Sequence, residues 1–219
     1  MPTMPSITLV RIGDASPEIC ASVAERVARQ FGMACRVADG AMSPDFAQDV
    51  RRGQTCSTRL LERLREEANG GWVLGVADVD PFMPVLTFVF GEAILGGRVA
   101  VVSLHRLRQT VYGLPDDAGL TLSRVEREAV HELGHAFGLV HCADYRCAMH
   151  ATRSVGEIDL AEGGLCGMCR EHVERVIRGL SANGRILQVQ PDIVQHNSSA
   201  FCRVPHRLPF FLRRPCHIP

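Results

Sequence analysis

The segment HELGHAFGLVH at residues 131–141 constrains this chain more than any other feature. Residues four apart on an α-helix share a face, so His131 and His135 leave one side of a helix together. Their ring nitrogens can then converge on one zinc ion. Glu132 lies beside the first of them, placed to reach a water on the metal rather than the metal itself. There it can take a proton as water attacks a carbonyl, then hand it to the leaving nitrogen. Gly138 is suited to end the helix in a left-handed conformation, after which the chain can return and bring in His141. Three neutral imidazoles with an open fourth position are the donor set of a catalytic zinc site. If His131 and His135 were only packed or solvated, nothing would explain Glu132, Gly138 and His141 at these offsets.

Cysteines follow at once. Cys142 adjoins His141, Cys147 comes five residues later, and Cys166 and Cys169 form a CGMC pair at the start of a helical stretch. Four thiolates at these positions suffice for a closed tetrahedral site, so a second, structural zinc is expected on Cys142, Cys147, Cys166 and Cys169. Two other readings compete: Cys166 and Cys169 as a redox pair at a helix start, and Cys142 bridged to Cys147. The loop between His141 and the last helix shows little apolar pattern, so metal binding there is expected to supply local folding free energy. Cys20, Cys35 and Cys56 read as small buried hydrophobes, and Cys202 and Cys216 as tail residues. Met149 has the position of an apolar thioether floor beneath the three imidazoles.

Size and charge exclude several classes of function. At 219 residues and 46% apolar, the chain holds one full core. Its 24 basic residues, all arginine because lysine is absent, cancel 24 acidic ones. No nucleic-acid or anionic-membrane partner is therefore expected. No apolar run is long enough to span a bilayer, and the first residues do not read as a signal peptide. Nine cysteines, an odd number with two metal-like clusters, fit a reducing compartment, so a cytoplasmic location is expected.

Strand and helix patterns alternate. Strands are expected over 6–13, 33–38, 72–80 and 98–107, with a further one within 85–95. Helices are expected over 17–31, 45–67, 121–138 and 166–180, the second irregular near Gly53. Ser123 and Glu126 read as a capping box opening the histidine helix. The Gly96-Gly97 turn is too short for a crossover, so an α/β domain with a mixed sheet is expected. That domain is placed at 1–189. The Pro- and Arg-containing stretch 190–219 is expected to be a poorly ordered extension.

These residues resemble the archaemetzincins, a branch of the metzincin zinc peptidases. The family pattern HExxHxxGx3Cx4CxM followed by CxxC reads here as HELGHAFGLVHCADYRCAM and CGMC, with sixteen residues between them. The segments VLGVADVD, LTFVFGEA and GRVAVVSLHRLR also look like the family's strands. The resemblance implies a metzincin-type zincin: a mixed, mostly parallel sheet, an antiparallel cleft-edge strand at 85–90, and an active-site helix beneath the cleft. It implies a C-terminal helix tied by the structural zinc, Met149 in a Met-turn, and two Zn2+ per chain.

Zinc-dependent hydrolysis of a peptide or small protein by a monomer is the leading expectation, with aminopeptidase-like or narrow specificity. A zinc-stabilised peptide-binding protein with little turnover is the alternative, and hydrolysis of a non-peptide amide is a third reading. His105, His150, Tyr145 and Tyr112 are candidates for stabilising an oxyanion.

Overall fold

A computed structural model describes residues 5–183 apart from 69 and 162. The domain boundary expected at 190, the extension beyond it, Cys202 and Cys216 all lie outside the described residues.

The first strand, β1 (Ile7–Gly13), leads into α1 (Pro17–Phe31), which opens with Ser16 capping the Ile19 amide and Pro17 at the first helical position. Strand β2 (Cys35–Val37) follows. The single helix expected over 45–67 is broken. Asp49 accepts hydrogen bonds from the amides of Arg51 and Arg52 at 3.0 and 3.1 Å, closing a hairpin between β3 (Gln48–Asp49) and β4 (Gln54–Cys56). The aspartate turn outcompetes the helical pattern, and α2 begins only at Ser57, running to Glu66.

Strand β5 (Trp72–Asp78) is central and β6 (Pro81–Phe82) pairs with β4. The edge strand expected at 85–90 lies instead at β7 (Gly91–Ile94). The backbone before it is held elsewhere: Arg52 donates to the carbonyls of Leu86 and Thr87, and Gln54 also donates to Thr87. Strand β8 (Val99–Ser103) is shorter than expected, because His105–Leu107 turn into a 3-10 helix.

The main sheet has the order β2-β1-β5-β8-β7, parallel except for β7, which runs antiparallel to β8 from Gly91 opposite Val102 to Ile94 opposite Val99. Side chains alternate between its faces. Ile7, Leu9, Trp72, Leu74, Val76, Ala100 and Val102 join one core with α1 and α3 (Ala118–Ala136). Val10, Ile12, Val73, Ala77, Val99 and Val101 join the other, with Leu60, Leu61 and Leu64 of α2.

Helix α3 begins earlier than expected. Asp117 caps the Leu120 amide at 2.8 Å, and Ser123 lies inside the helix. Glu126 is no capping partner either: it accepts from Ser22 of α1 at 2.7 Å. A short α4 (Val155–Leu160) is tied to α3 by Arg124, which makes a two-pronged pair with Asp159 and donates to the Leu107 carbonyl. Helix α5 (Gly167–Asn183) closes the described fold. The loop ahead of it has more apolar support than its sequence shows: Leu139, Ala148, Met149, Ile158 and Leu165 are all buried in the larger core. No described helix is long and apolar enough to cross a membrane.

Candidate metal centres

Helix α3 ends in a Schellman motif, and this ending builds half of the histidine site. The Gly138 amide bonds to the His135 carbonyl at 2.8 Å and the Leu139 amide to the Gly134 carbonyl at 3.0 Å. Gly138 itself has φ 91°, open to glycine and costly for other residues. The reversal delivers the Leu139 carbonyl to His135, whose Nδ1 donates to it at 2.8 Å. His131 Nδ1 donates in the same way to the Ala148 carbonyl at 2.7 Å.

Those two bonds fix the tautomers. With each Nδ1 carrying the proton, each Nε2 presents a lone pair, and the two Nε2 atoms stand 3.0 Å apart. Two lone pairs held face to face repel unless a cation lies between them. His141 completes the set: the donor atoms of His131, His135 and His141 all fall within 4.8 Å of one another. Burial, and then the mutual charge of the cluster, lowers the basicity of His131 to about 3; burial lowers that of His135 to about 4. His141 is shifted the same way. All three are thus held neutral, the form that binds metal. His131 is buried, His135 half-buried and His141 exposed, so the open side of the cluster faces solvent.

Met149 is fully buried. A Cβ on Gly134 would collide with the Met149 Sδ, so only glycine at 134 lets the thioether seat against the helix. Glu132 is also buried, at 6% exposure. Burial raises its pKa well above the ordinary carboxylate range, with the charges of Glu128 and Glu92 adding to the effect. Glu128, one turn back along α3, is pushed up to about 7 by burial.

The second cluster lies against the first. The sulfurs of Cys142, Cys147, Cys166 and Cys169 are all within 4.8 Å of one another, and none of the four is in a disulfide. The Cys142–Cys147 bridge is therefore absent, and the CGMC pair converges with two further sulfurs rather than standing alone. Cys147 Sγ accepts from the amides of Met149 at 3.4 Å and Cys166 at 3.3 Å. Burial pushes the Cys147 and Cys169 thiols up. Burial also acts to raise Cys166, but hydrogen bonds led by the Cys169 amide outweigh it and bring that thiol below its usual range. Four sulfurs this close suit a soft cation, whose charge makes their joint deprotonation favourable.

One stretch serves both clusters. Ala148 supplies the carbonyl to His131, Met149 accepts from the Cys142 amide at 2.8 Å, and His150 Nδ1 meets the Cys142 carbonyl at 3.1 Å. Of the four candidates for an oxyanion role, His150 alone is tied to this stretch. Tyr112 donates to the Arg106 carbonyl, Tyr145 is 66% exposed beside Arg146, and His105 sits in the 3-10 turn after β8. The roles of the Leu139 and Ala148 carbonyls, of the buried Glu128 and of the half-buried Glu92 carried no sequence signal. Nor did the contact of Gly134 with Met149, which depends on what packs against the helix.

Residues 17–175 match the model of peptidase family M54. The chain belongs to that family. It is an archaemetzincin-type zinc metallopeptidase, a hydrolase acting on peptides. Archaemetzincin from Methanocaldococcus jannaschii is 37% identical over 168 residues, covering 77% of this chain and 92% of that protein. Archaemetzincin from Pyrococcus abyssi is 34% identical over 180 residues, covering 78% and 96%. The crystal structure of archaemetzincin from Methanopyrus kandleri matches with TM-score 0.66 at 35% identity, over 78% of this chain and 94% of that one. A zinc-dependent peptidase from Methanocorpusculum labreanum matches with TM-score 0.71 at 27% identity, over 77% and 100%. The mixed sheet expected from the sequence and the mostly parallel order implied by the resemblance are both present in this chain.

Proposed function

We propose that His131, His135 and His141 hold the catalytic zinc, that Glu132 is the general base and then the general acid, and that Cys142, Cys147, Cys166 and Cys169 hold a second zinc. The observation that carries this reading is the facing pair of Nε2 atoms, 3.0 Å apart with both Nδ1 protons already engaged. Zinc, when bound, polarises the scissile carbonyl and acidifies a water molecule. Glu132 takes the proton from the attacking water. Its raised pKa makes it a stronger base than an exposed carboxylate, and it returns the proton to the leaving nitrogen. Ala148 and Leu139 keep the two helix imidazoles turned toward the metal. Met149 fills the space below and keeps other donors out.

Elemental analysis of the parent and of His135→Ala tests the assignment. About two zincs per chain, falling to about one in the variant, is the expected result. One zinc in the parent, unchanged in the variant, would leave only the cysteine cluster loaded and would favour a peptide-binding protein without turnover.

Specificity is read as aminopeptidase-like. The family resemblance supports this. Short peptides with a free amino terminus should be cleaved at least about tenfold faster than their N-acetylated forms. Equal rates would remove the aminopeptidase reading and leave the hydrolase. The convergence of Cys142, Cys147, Cys166 and Cys169 as thiols rather than disulfides supports a reducing compartment and hence the cytoplasm.

A further inference from the structure

Strand β7 is the last strand of the main sheet, paired among the described residues with β8 alone. It is fastened to α3 at its far end, where the turn after it docks on the end of the helix. The Gly96 amide donates to the His135 carbonyl at 2.9 Å and the Arg98 amide to the Ala136 carbonyl at 3.2 Å. Among the described residues, the near end of the strand has no such backbone bonds to the helix. What meets α3 there is Gly91, and it meets Glu132.

The contact is close. A Cβ built on Gly91 would stand 2.6 Å from Glu132 Cγ, 2.9 Å from Glu132 Oε1 and 2.6 Å from the Val101 carbonyl oxygen. All three separations are well inside van der Waals contact. The Glu132 side chain therefore lies flat against the bare Cα of Gly91, roofed by the strand. Glu132 is 6% exposed, so the packed interior leaves it little room to yield.

We infer that Gly91 is a positioning residue for Glu132: the missing side chain lets the carboxylate of the general base sit directly under the edge strand. The inference rests on the role proposed for Glu132. Any side chain at 91 pushes the carboxylate aside or lifts the strand. Either movement changes the distance between the base and whatever backbone lies along the open edge. Misplacement of a reacting group by about 1 Å costs on the order of a hundredfold in rate.

The test is Gly91→Ala, made in the parent and in a Glu132→Ala background, both loaded with zinc. In the parent background the substitution is expected to lower the unfolding midpoint by about 5 °C. In the Glu132→Ala background, most of that loss should vanish, because the side chain it strikes is gone. In the single variant, kcat should fall about a hundredfold with both metals retained and KM changed by less than about threefold. A merely structural glycine would lower the midpoint equally in both backgrounds, placing the conflict at the Val101 carbonyl and overturning the inference. An unchanged kcat would overturn it as well. If Gly91→Ala alone fails to fold, a double variant that folds supports the inference and one that does not refutes it. The midpoint comparison involves no hydrolysis, so it stands or falls apart from the role of Glu132 as base, which Glu132→Gln tests separately.

Discussion

Glu132→Gln is expected to retain its metal and to lose hydrolysis by on the order of 10^3-fold in kcat. Glutamine keeps the shape of the side chain, so the packing beneath β7 should survive. It has no basic oxygen of comparable strength, so the attacking water keeps its proton. Stability should hold or rise slightly. Glu132 is buried beside two other acids, and its charged form is disfavoured there by burial and by Glu128 and Glu92. Replacing an awkward buried acid by a neutral isostere removes that cost. Rate, zinc content and unfolding midpoint measured on one preparation settle the matter. A variant that keeps its zinc and hydrolyses peptides at the parent rate would show that another group moves the proton.

Cys169→Ser should lose one zinc per chain and lower the unfolding midpoint by about 10 °C or more, as expected when a structural metal is removed. Cys169 lies in the first turn of α5, and its three partners lie in the loop between α3 and that helix. Without the fourth sulfur, the remaining thiols are left crowded and poorly compensated. The damage should reach the histidine site, because Cys142 is bonded to His141 and the Ala148 carbonyl orients His131. Retention of the remaining zinc against a chelator should therefore weaken along with stability. The loop is not held by metal alone, since Met149, Ile158 and Leu165 are anchored in the larger core. The variant should accordingly fold at low temperature rather than fail outright. Unchanged zinc content would mean that these sulfurs do not hold a metal.

The histidine site was legible because its geometry is local. Two residues four apart on a helix converge wherever that helix sits. A glycine in the left-handed region ends the helix by a backbone rule that needs no knowledge of the rest of the fold. The cysteine cluster was legible in composition but not in pairing: redox pair, disulfide and metal site use the same residues, and the approach of Cys142 and Cys147 to the CGMC pair is what favours the third reading. Element types mostly followed from periodicity. The errors fell where side chains compete with the backbone. Asp49 turned a helical pattern into a hairpin, Asp117 displaced Ser123 as the cap, and Arg52 drew residues 86 and 87 away from the sheet.

Sequence alone thus pointed to the side chains proposed to carry the chemistry, since donor type and helical spacing are properties of neighbouring residues. The tertiary structure decided how they are held. The carbonyls of Leu139 and Ala148, the thioether against Gly134 and the bare Cα of Gly91 over Glu132 are contacts through space. Backbone carbonyls have no residue signature, and the value of an absent side chain depends on what packs into its place. Such contacts exist only once the sheet has set its register and the helices have closed on it.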